Sequence, residues 1–309
     1  MSAAAVGLRR AWQSDLAHDF RRSPAAMLAA LLLAAFLLAA LAPGLVAPVR
    51  VFDLTRISLR NAFIPPAWME GGSAAFLLGT DGQGRDVLSA IIYGMRVSML
   101  VGAASVLLAV AIGVPLGLLA GFRGGAIDAV VMRIADVQLT FPAILVAVML
   151  DGVARSAFGQ AAHERHAVPI LILAIGLTGW VQYARTVRGA TMVEARRDYV
   201  AAATLVGRPP ASIMLLHILP NVLTSVLVLA TINLAVAIIL EATLSFVGLG
   251  IPPTQPSLGT LVRLGNNYLL SGEWWIAIFP GVALLLLVLA INLLGDWLRD
   301  ALNPTLREA

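Results

Sequence analysis

The stretch VSMLVGAASVLLAVAIGVPLGLLA, residues 97–120, contains no charged side chain, and its reading decides the fold. At about 1.5 Å per helical residue it crosses roughly 30 Å of hydrocarbon, so it reads as a transmembrane helix. Working outward, five more apolar stretches are long enough to do the same: 25–47, 127–150, 167–184, 222–251 and 274–294. Two are less clean. The stretch 127–150 carries Asp128, Arg133 and Asp136 toward its start, and 222–251 contains Asn233 and Glu241. Both still count as spans. The whole chain agrees: 309 residues, 60% hydrophobic, 12% charged, with a mean hydropathy of +0.89 that a water-soluble domain of this length cannot hide. The expected fold is all-α and polytopic, with six transmembrane helices. Arg21 and Arg22 ahead of the first stretch invite a signal-peptide reading. Its apolar run is too long for that, and no small-residue cleavage site stands out before Arg50, so a retained helix is expected.

Two absences exclude chemistry. No lysine occurs between Met1 and Ala309, so a phosphate loop of the G-x-x-x-x-G-K-[ST] kind cannot be present, and energy from ATP would have to come from a partner. No cysteine occurs either, which removes disulfides, thiolate nucleophiles and cysteine-ligated metal centres. The net charge is +4 and the pI about 10.3, but the arginines are scattered among apolar spans and form no patch for nucleic acid. Membrane topology explains them. With both termini inside, thirteen arginines fall in cytoplasmic segments and eight in external ones, five of the eight in a single long loop where the rule is weak. The chain then divides into a cytoplasmic segment 1–24, a first helix 25–47, an external loop 48–96, a five-helix core 97–294 with a cytoplasmic loop 185–221, and a cytoplasmic tail 295–309.

Two loops have a composition of their own. The external one holds Pro65, Pro66, Gly71, Gly72 and the run Gly79-Thr80-Asp81-Gly82-Gln83-Gly84-Arg85-Asp86, a glycine density that predicts tight turns at the membrane surface. In the cytoplasmic one, Asp198 is a good N-cap, Tyr199 to Val206 suit a helix, Gly207 suits the C′ position, and Pro209 and Pro210 prevent continuation. This predicts an isolated helix about 12 Å long, too short to stand alone in water. A second helical stretch, 211–219, is expected to end at Pro220.

The run Asp198-Tyr199-Val200-Ala201-Ala202-Ala203, then Gly207, then His217-Ile218-Leu219-Pro220-Asn221, resembles the cytoplasmic signature loop of binding-protein-dependent ABC importer permeases. That signature reads Glu-Ala-Ala, three residues, Gly, nine residues, then a hydrophobic-Leu-Pro segment. Ala202, Ala203 and Gly207 match, and Ala201 stands where the family has glutamate. Further segments are similar to the branch that imports dipeptides, oligopeptides and nickel: Gly79-Thr80-Asp81 with Gly84-Arg85-Asp86, Leu244-Ser245-Phe246-Val247-Gly248-Leu249-Gly250, and Asn292 through Leu302, with Asn303 where an aspartate before proline is usual. The resemblance implies a type I importer permease fold and a multi-pass subunit of the bacterial inner membrane, of the C-type. Its implied partners are a second, B-type permease, two cytosolic ATP-binding subunits, an external substrate-binding protein and membrane lipid, with no cofactor on this chain and no nucleic acid. It also implies that 199–206 is a coupling helix seated on an ATPase. Alanines at 201, 202 and 203 would allow close backbone approach there.

The remaining polar residues admit two readings each. Glu241 inside an apolar span costs at least about 2.5 kcal/mol, so it needs a partner or water; it serves either a relay or substrate contact, or a tie between helices. Asn233, eight residues earlier, lines the same path or bonds across a helix interface. His163 and His166 flank Glu164 and Arg165, and a solvated loop fits them better than a metal site. His217 fits a packing role as well as a signature one. No catalytic set and no metal set can be assembled. A proton-driven carrier using Glu241, Asp136 and Asp296 is the competing class, but the sequence shows no convincing internal repeat.

Overall fold

The computed structural model describes residues 15–49, 58–159 and 165–302, and among these it is helical with one isolated β-bridge, Thr80 to Asp86. An amphipathic helix α1 (Asp15–Arg22) leads into α2 (Pro24–Leu41), where the Ser23 hydroxyl accepts from the Ala26 N–H at 3.3 Å and Pro24 occupies the first turn. The stretch expected as one helix over 25–47 stops at Leu41, because Pro43 offers no N–H to continue the ladder, and a separate turn Pro43–Val46 follows.

Helix α3 (Val87–Arg123) starts ten residues before the expected 97, which shortens the loop to 48–86. The Asp86 carboxylate sets this start by accepting from the Ser89 N–H at 2.8 Å. At 37 residues α3 is about 55 Å long, more than the hydrocarbon core requires. Gly124 and Gly125, both at positive φ (63° and 57°), turn the chain directly into α4 (Gly125–Leu139).

The expected span 127–150 is broken. α4 and α5 (Ala143–Phe158) meet at an 88° bend, so among the described residues five helices are long and apolar enough to cross a membrane, and the count reaches the expected six when this bent pair is taken as one broken span. The cause is local: Pro142 has extended backbone (ψ 132°) and disfavours a helical conformation at Phe141. The two acids of that stretch, Asp128 and Asp136, find partners on α6 (Ala167–Glu194). Arg188 donates to both oxygens of Asp128, Arg185 pairs with Asp136, and the Trp180 ring N–H donates to Gln138 Oε1 at 2.7 Å.

α3 and α6 form the most extensive helix pair. Gly113, Gly117 and Gly121 lie four residues apart on one α3 face, and a Cβ at each would stand 2.5, 2.5 and 2.6 Å from the carbonyl oxygens of Trp180, Ala184 and Arg188. Only glycine permits this approach, as in small-xxx-small membrane interfaces.

α6 reaches Glu194, beyond the expected 184, so the loop to the next span is 195–209. It contains α7 (Asp198–Leu205). Pro220 does not end a helix there. Three helical residues, Pro210–Ser212, pass into a π-helical segment Ile213–Ile218 and on into α8 (Leu219–Val247), with Pro220 in the first turn of α8. In the π segment the Leu219 N–H reaches back five residues to Met214, and this register absorbs the N–H that Pro220 lacks. The described residues end with α9 (Leu258–Asn266) and α10 (Trp275–Leu302); α10 continues through the residues expected to begin a tail at 295.

Candidate functional site

Helix α7 keeps its predicted place, with its boundary one residue earlier: Arg197 takes the cap position without a side-chain bond, and Asp198 opens the helix. An acid in the first turn faces the positive helix end, which suits either position. Gly207 sits at φ +79°, its N–H donating to the Thr204 carbonyl at 3.0 Å while that of Arg208 donates to Ala203 at 3.1 Å. This pair of bonds is a Schellman termination.

Two residues fasten α7 to the bundle. Val200 is buried in a core cluster with Val187 and Tyr183 of α6, Ile213 and Ile218 of the π segment, and Val222 of α8. The Tyr199 hydroxyl donates to Glu194 at 2.7 Å and accepts from the Asn221 amide at 3.1 Å. Burial first, and then the adjacent Glu194 carboxylate, hold that hydroxyl above its ordinary pKa, so it stays a donor. Asn221 also donates to the His217 carbonyl at 3.0 Å, and the His217 ring lies 3.4 Å from the Ser212 carbonyl oxygen. Pro220 is exposed in the first turn of α8. Asp198, Tyr199, Val200, Gly207, His217 and Asn221 are thus brought into one small structure. Glu194, bonded to Tyr199 and paired with Arg197 at 3.2 Å, is a member that sequence reasoning missed.

The opposite face of α7 is free. Ala201 and Ala202 are exposed and Ala203 half-buried, while Leu205 and Val206 are 89% and 81% exposed. Asp198, Ala201, Ala202 and Leu205 follow helical spacing, so α7 presents a small-residue stripe bounded by an acid at one end and two aliphatic side chains at the other.

Glu241 and Asn233 are not brought together. Glu241 is fully buried and accepts from the hydroxyls of Ser98 and Ser245, each at 2.7 Å. Ser98 in turn accepts from the Leu258 N–H at 3.2 Å and Ser245 from that of Ile251 at 3.3 Å. Glu241 therefore ties α3, α8 and the start of α9 together. Asn233 lines a cavity of about 110 Å³ near the middle of α3, α6 and α8, which Glu241 does not reach.

At the far end from α7, the glycine-rich run forms a buried knot. The Thr80 hydroxyl donates to the Asn61 carbonyl and accepts from the Ile64 N–H, and the Thr80 carbonyl accepts from the Trp275 ring at 3.1 Å. Asp81 accepts from the N–H groups of Gln83 and Arg85 and from the Arg85 guanidinium at 2.7 Å. Positive φ at Gly79 and Gly84 makes the turns. Among the described residues no three His, Cys, Asp or Glu side chains gather to hold a metal; His163 and Glu164 lie outside those residues.

Three comparisons bear on this architecture. Residues 113–308 match the model of a family described as binding-protein-dependent transport system inner membrane component. The chain is 38% identical over 289 residues to the dipeptide transport system permease protein DppC of Haemophilus influenzae, covering 94% of this chain and 93% of that one. It is 40% identical over 245 residues to the di/tripeptide transport system permease protein DppC of Pseudomonas aeruginosa, covering 79% and 77%. In fold it resembles a chain of the MetNI methionine ABC transporter solved in inward-facing conformations, with a TM-score of 0.54 at 22% identity over 69% of this chain and 96% of the other.

Proposed function

The chain belongs to the family of binding-protein-dependent transport system inner membrane components, as a permease subunit of an ABC importer, and we propose that its cargo is dipeptides or oligopeptides. It is a multi-pass inner membrane protein that transports and does not hydrolyse ATP, which is the task of separate ATPase subunits. In this reading it supplies half of a translocation path, the other half coming from a B-type permease. Two cytosolic ATP-binding subunits and an external substrate-binding protein complete the assembly, lipid surrounds the spans, and the chain itself binds no cofactor and no nucleic acid. Both termini and α7 face the cytosol, and the loop around 198–221 couples the spans to an ATPase.

The observation that carries the coupling role is the two-sidedness of α7. Val200 and Tyr199 hold one face in the bundle, while the other offers Ala201, Ala202 and Leu205 to a protein surface. Burying Leu205 alone in a partner's groove is worth about 1.5–3 kcal/mol. The test is Ala202→Trp in the assembled importer. A ring on a closely packed face costs about 1–3 kcal/mol of misfit, so uptake and binding-protein-stimulated hydrolysis should both fall at normal expression. Wild-type values for both would remove α7 from the coupling role. The purified subunit alone should show no specific ATP binding at micromolar nucleotide, and ATPase subunits should co-purify with it.

A further inference from the structure

The mid-bundle cavity is unlike the rest of the apolar interior. Two of its lining atoms, the Tyr183 hydroxyl and the Asn233 amide nitrogen, face each other across its wall and are buried, yet neither makes a hydrogen bond of ordinary length and angle. Buried polar groups are nearly always paired, because one left without a full partner forfeits its hydration with nothing in return. Finding two on one cavity points to an occupant.

A third feature faces the same space. Ala143, the first residue of α5, lines the cavity, and Pro142 before it provides no side-chain cap. The first N–H groups of a helix have no partner within it and form its positive end. In a straight span they would be consumed by the ladder of the preceding turn; the 88° bend between α4 and α5 frees them at mid-height. The other lining hydroxyls are already committed, Thr178 to the Ile175 carbonyl at 2.8 Å and Ser105 to the Ile172 carbonyl at 3.4 Å. No Arg, Asp or Glu lines the cavity. What it offers is a set of uncharged donors from three helices.

From this convergence we infer that the cavity is a subsite for an acceptor oxygen of the cargo, either the terminal carboxylate or a peptide carbonyl, held by Tyr183, Asn233 and the start of α5. The inference rests on the peptide-importer reading. The size agrees: about 110 Å³ leaves room for a carboxylate or one peptide unit.

The experiment uses the complete importer in proteoliposomes with its binding protein, comparing wild type, Tyr183→Phe and Asn233→Leu on a dipeptide and on its C-terminal amide. KM for uptake should rise about 3- to 10-fold in each variant, the equivalent of one lost hydrogen bond, with stimulated ATP hydrolysis unchanged. Variant-to-wild-type ratios cancel any preference of the binding protein. A rise confined to the free acid identifies the carboxylate, and an equal rise for both substrates identifies the carbonyl. Unchanged KM for both substrates overturns the subsite, all the more if Tyr183→Phe also raises the thermal midpoint, since the cavity then holds only water or an unpaired hydroxyl. Tyr183→Phe removes one oxygen, so it decides the matter if Asn233→Leu fails to assemble. Absence of peptide uptake by the wild-type complex, with intact assembly, sinks the importer reading and the subsite with it.

Discussion

Gly207 offers a measurement of how much the stability of α7 matters, because its surroundings isolate one cause. A Cβ at this position meets nothing within 4 Å, so a substitution introduces no clash and the whole effect comes from φ +79°. An alanine in the left-handed region costs about 1–2 kcal/mol, asparagine much less, and valine, stiff at χ1, at least as much as alanine. Against this stands what holds the helix down: burial of Val200, about 1.5–3 kcal/mol, and the two Tyr199 hydrogen bonds, about 0.5–1.5 kcal/mol each. An eight-residue helix adds little stability of its own. A strain of about 2 kcal/mol would therefore raise the undocked population of α7 roughly 30-fold. Hydrogen exchange of the amides of 202–208 in the purified complex should order the series Gly207 and Gly207→Asn slow, Gly207→Ala faster, Gly207→Val fastest, and stimulated ATP hydrolysis should fall in the same order. Equal protection in Gly207→Val and wild type, or Gly207→Asn as impaired as Gly207→Val, would refute the strain argument.

Three further outcomes follow from packing, charge and topology. Gly117→Val puts a Cβ 2.5 Å from the Ala184 carbonyl oxygen and should lower the thermal midpoint of the purified complex through a loss of about 3 kcal/mol or more, whereas Gly189→Ala on α6, with open space around it, should leave it unchanged or slightly raise it. Asp81→Ala leaves the Arg85 guanidinium, 8% exposed, without its carboxylate, a penalty on the order of 3 kcal/mol that should appear as faster proteolysis within 58–86. If both termini are cytosolic, as proposed, a Ser73→Cys variant of this cysteine-free chain should react with an impermeant thiol reagent in intact spheroplasts; labelling only after lysis would invert the topology.

What could be read from sequence and what could not divides by the range of the interactions. Gly207 with Pro209 and Pro210 announces the end of α7 because a positive φ and a missing N–H are properties of single residues, and the structure keeps that end. Proline is a poorer guide where register decides the outcome. Pro220 looks like a stop, yet a π register lets the helix pass through it, and Pro142, which an apolar run of this length conceals, breaks the third span. Hydropathy could not reveal either outcome, since it sees composition and not backbone register. The charges of the third span carried a usable signal. Asp128 and Asp136 are eight residues apart, and Arg188 and Arg185, on α6 after the bent pair, are their mates. Glu241 required knowledge of a partner 143 residues away, Ser98, and no local pattern supplies that.

The two proposed sites share a physical connection that neither suggests alone. Val200, which anchors α7, and Tyr183, whose hydroxyl borders the cavity, belong to one continuous core cluster, joined through Val187, Ile213 and Ile218. Packed interiors resist compression, so a displacement of Val200 by a docked partner cannot be absorbed within that cluster and must be passed on or relieved at a softer element. On the α8 side the softer element is present: the π segment Ile213–Ile218 lies between α7 and α8, and its register can change without breaking the chain's path. On the α6 side there is none, because Gly113, Gly117 and Gly121 bring α3 and α6 into backbone contact along the stretch that contains Tyr183. Movement of α7 should then shift α8, which carries Asn233, against a rigid α3–α6 pair that carries Tyr183. The distance between these two donors is the quantity such a shift changes, and with it the cavity's ability to hold an oxygen.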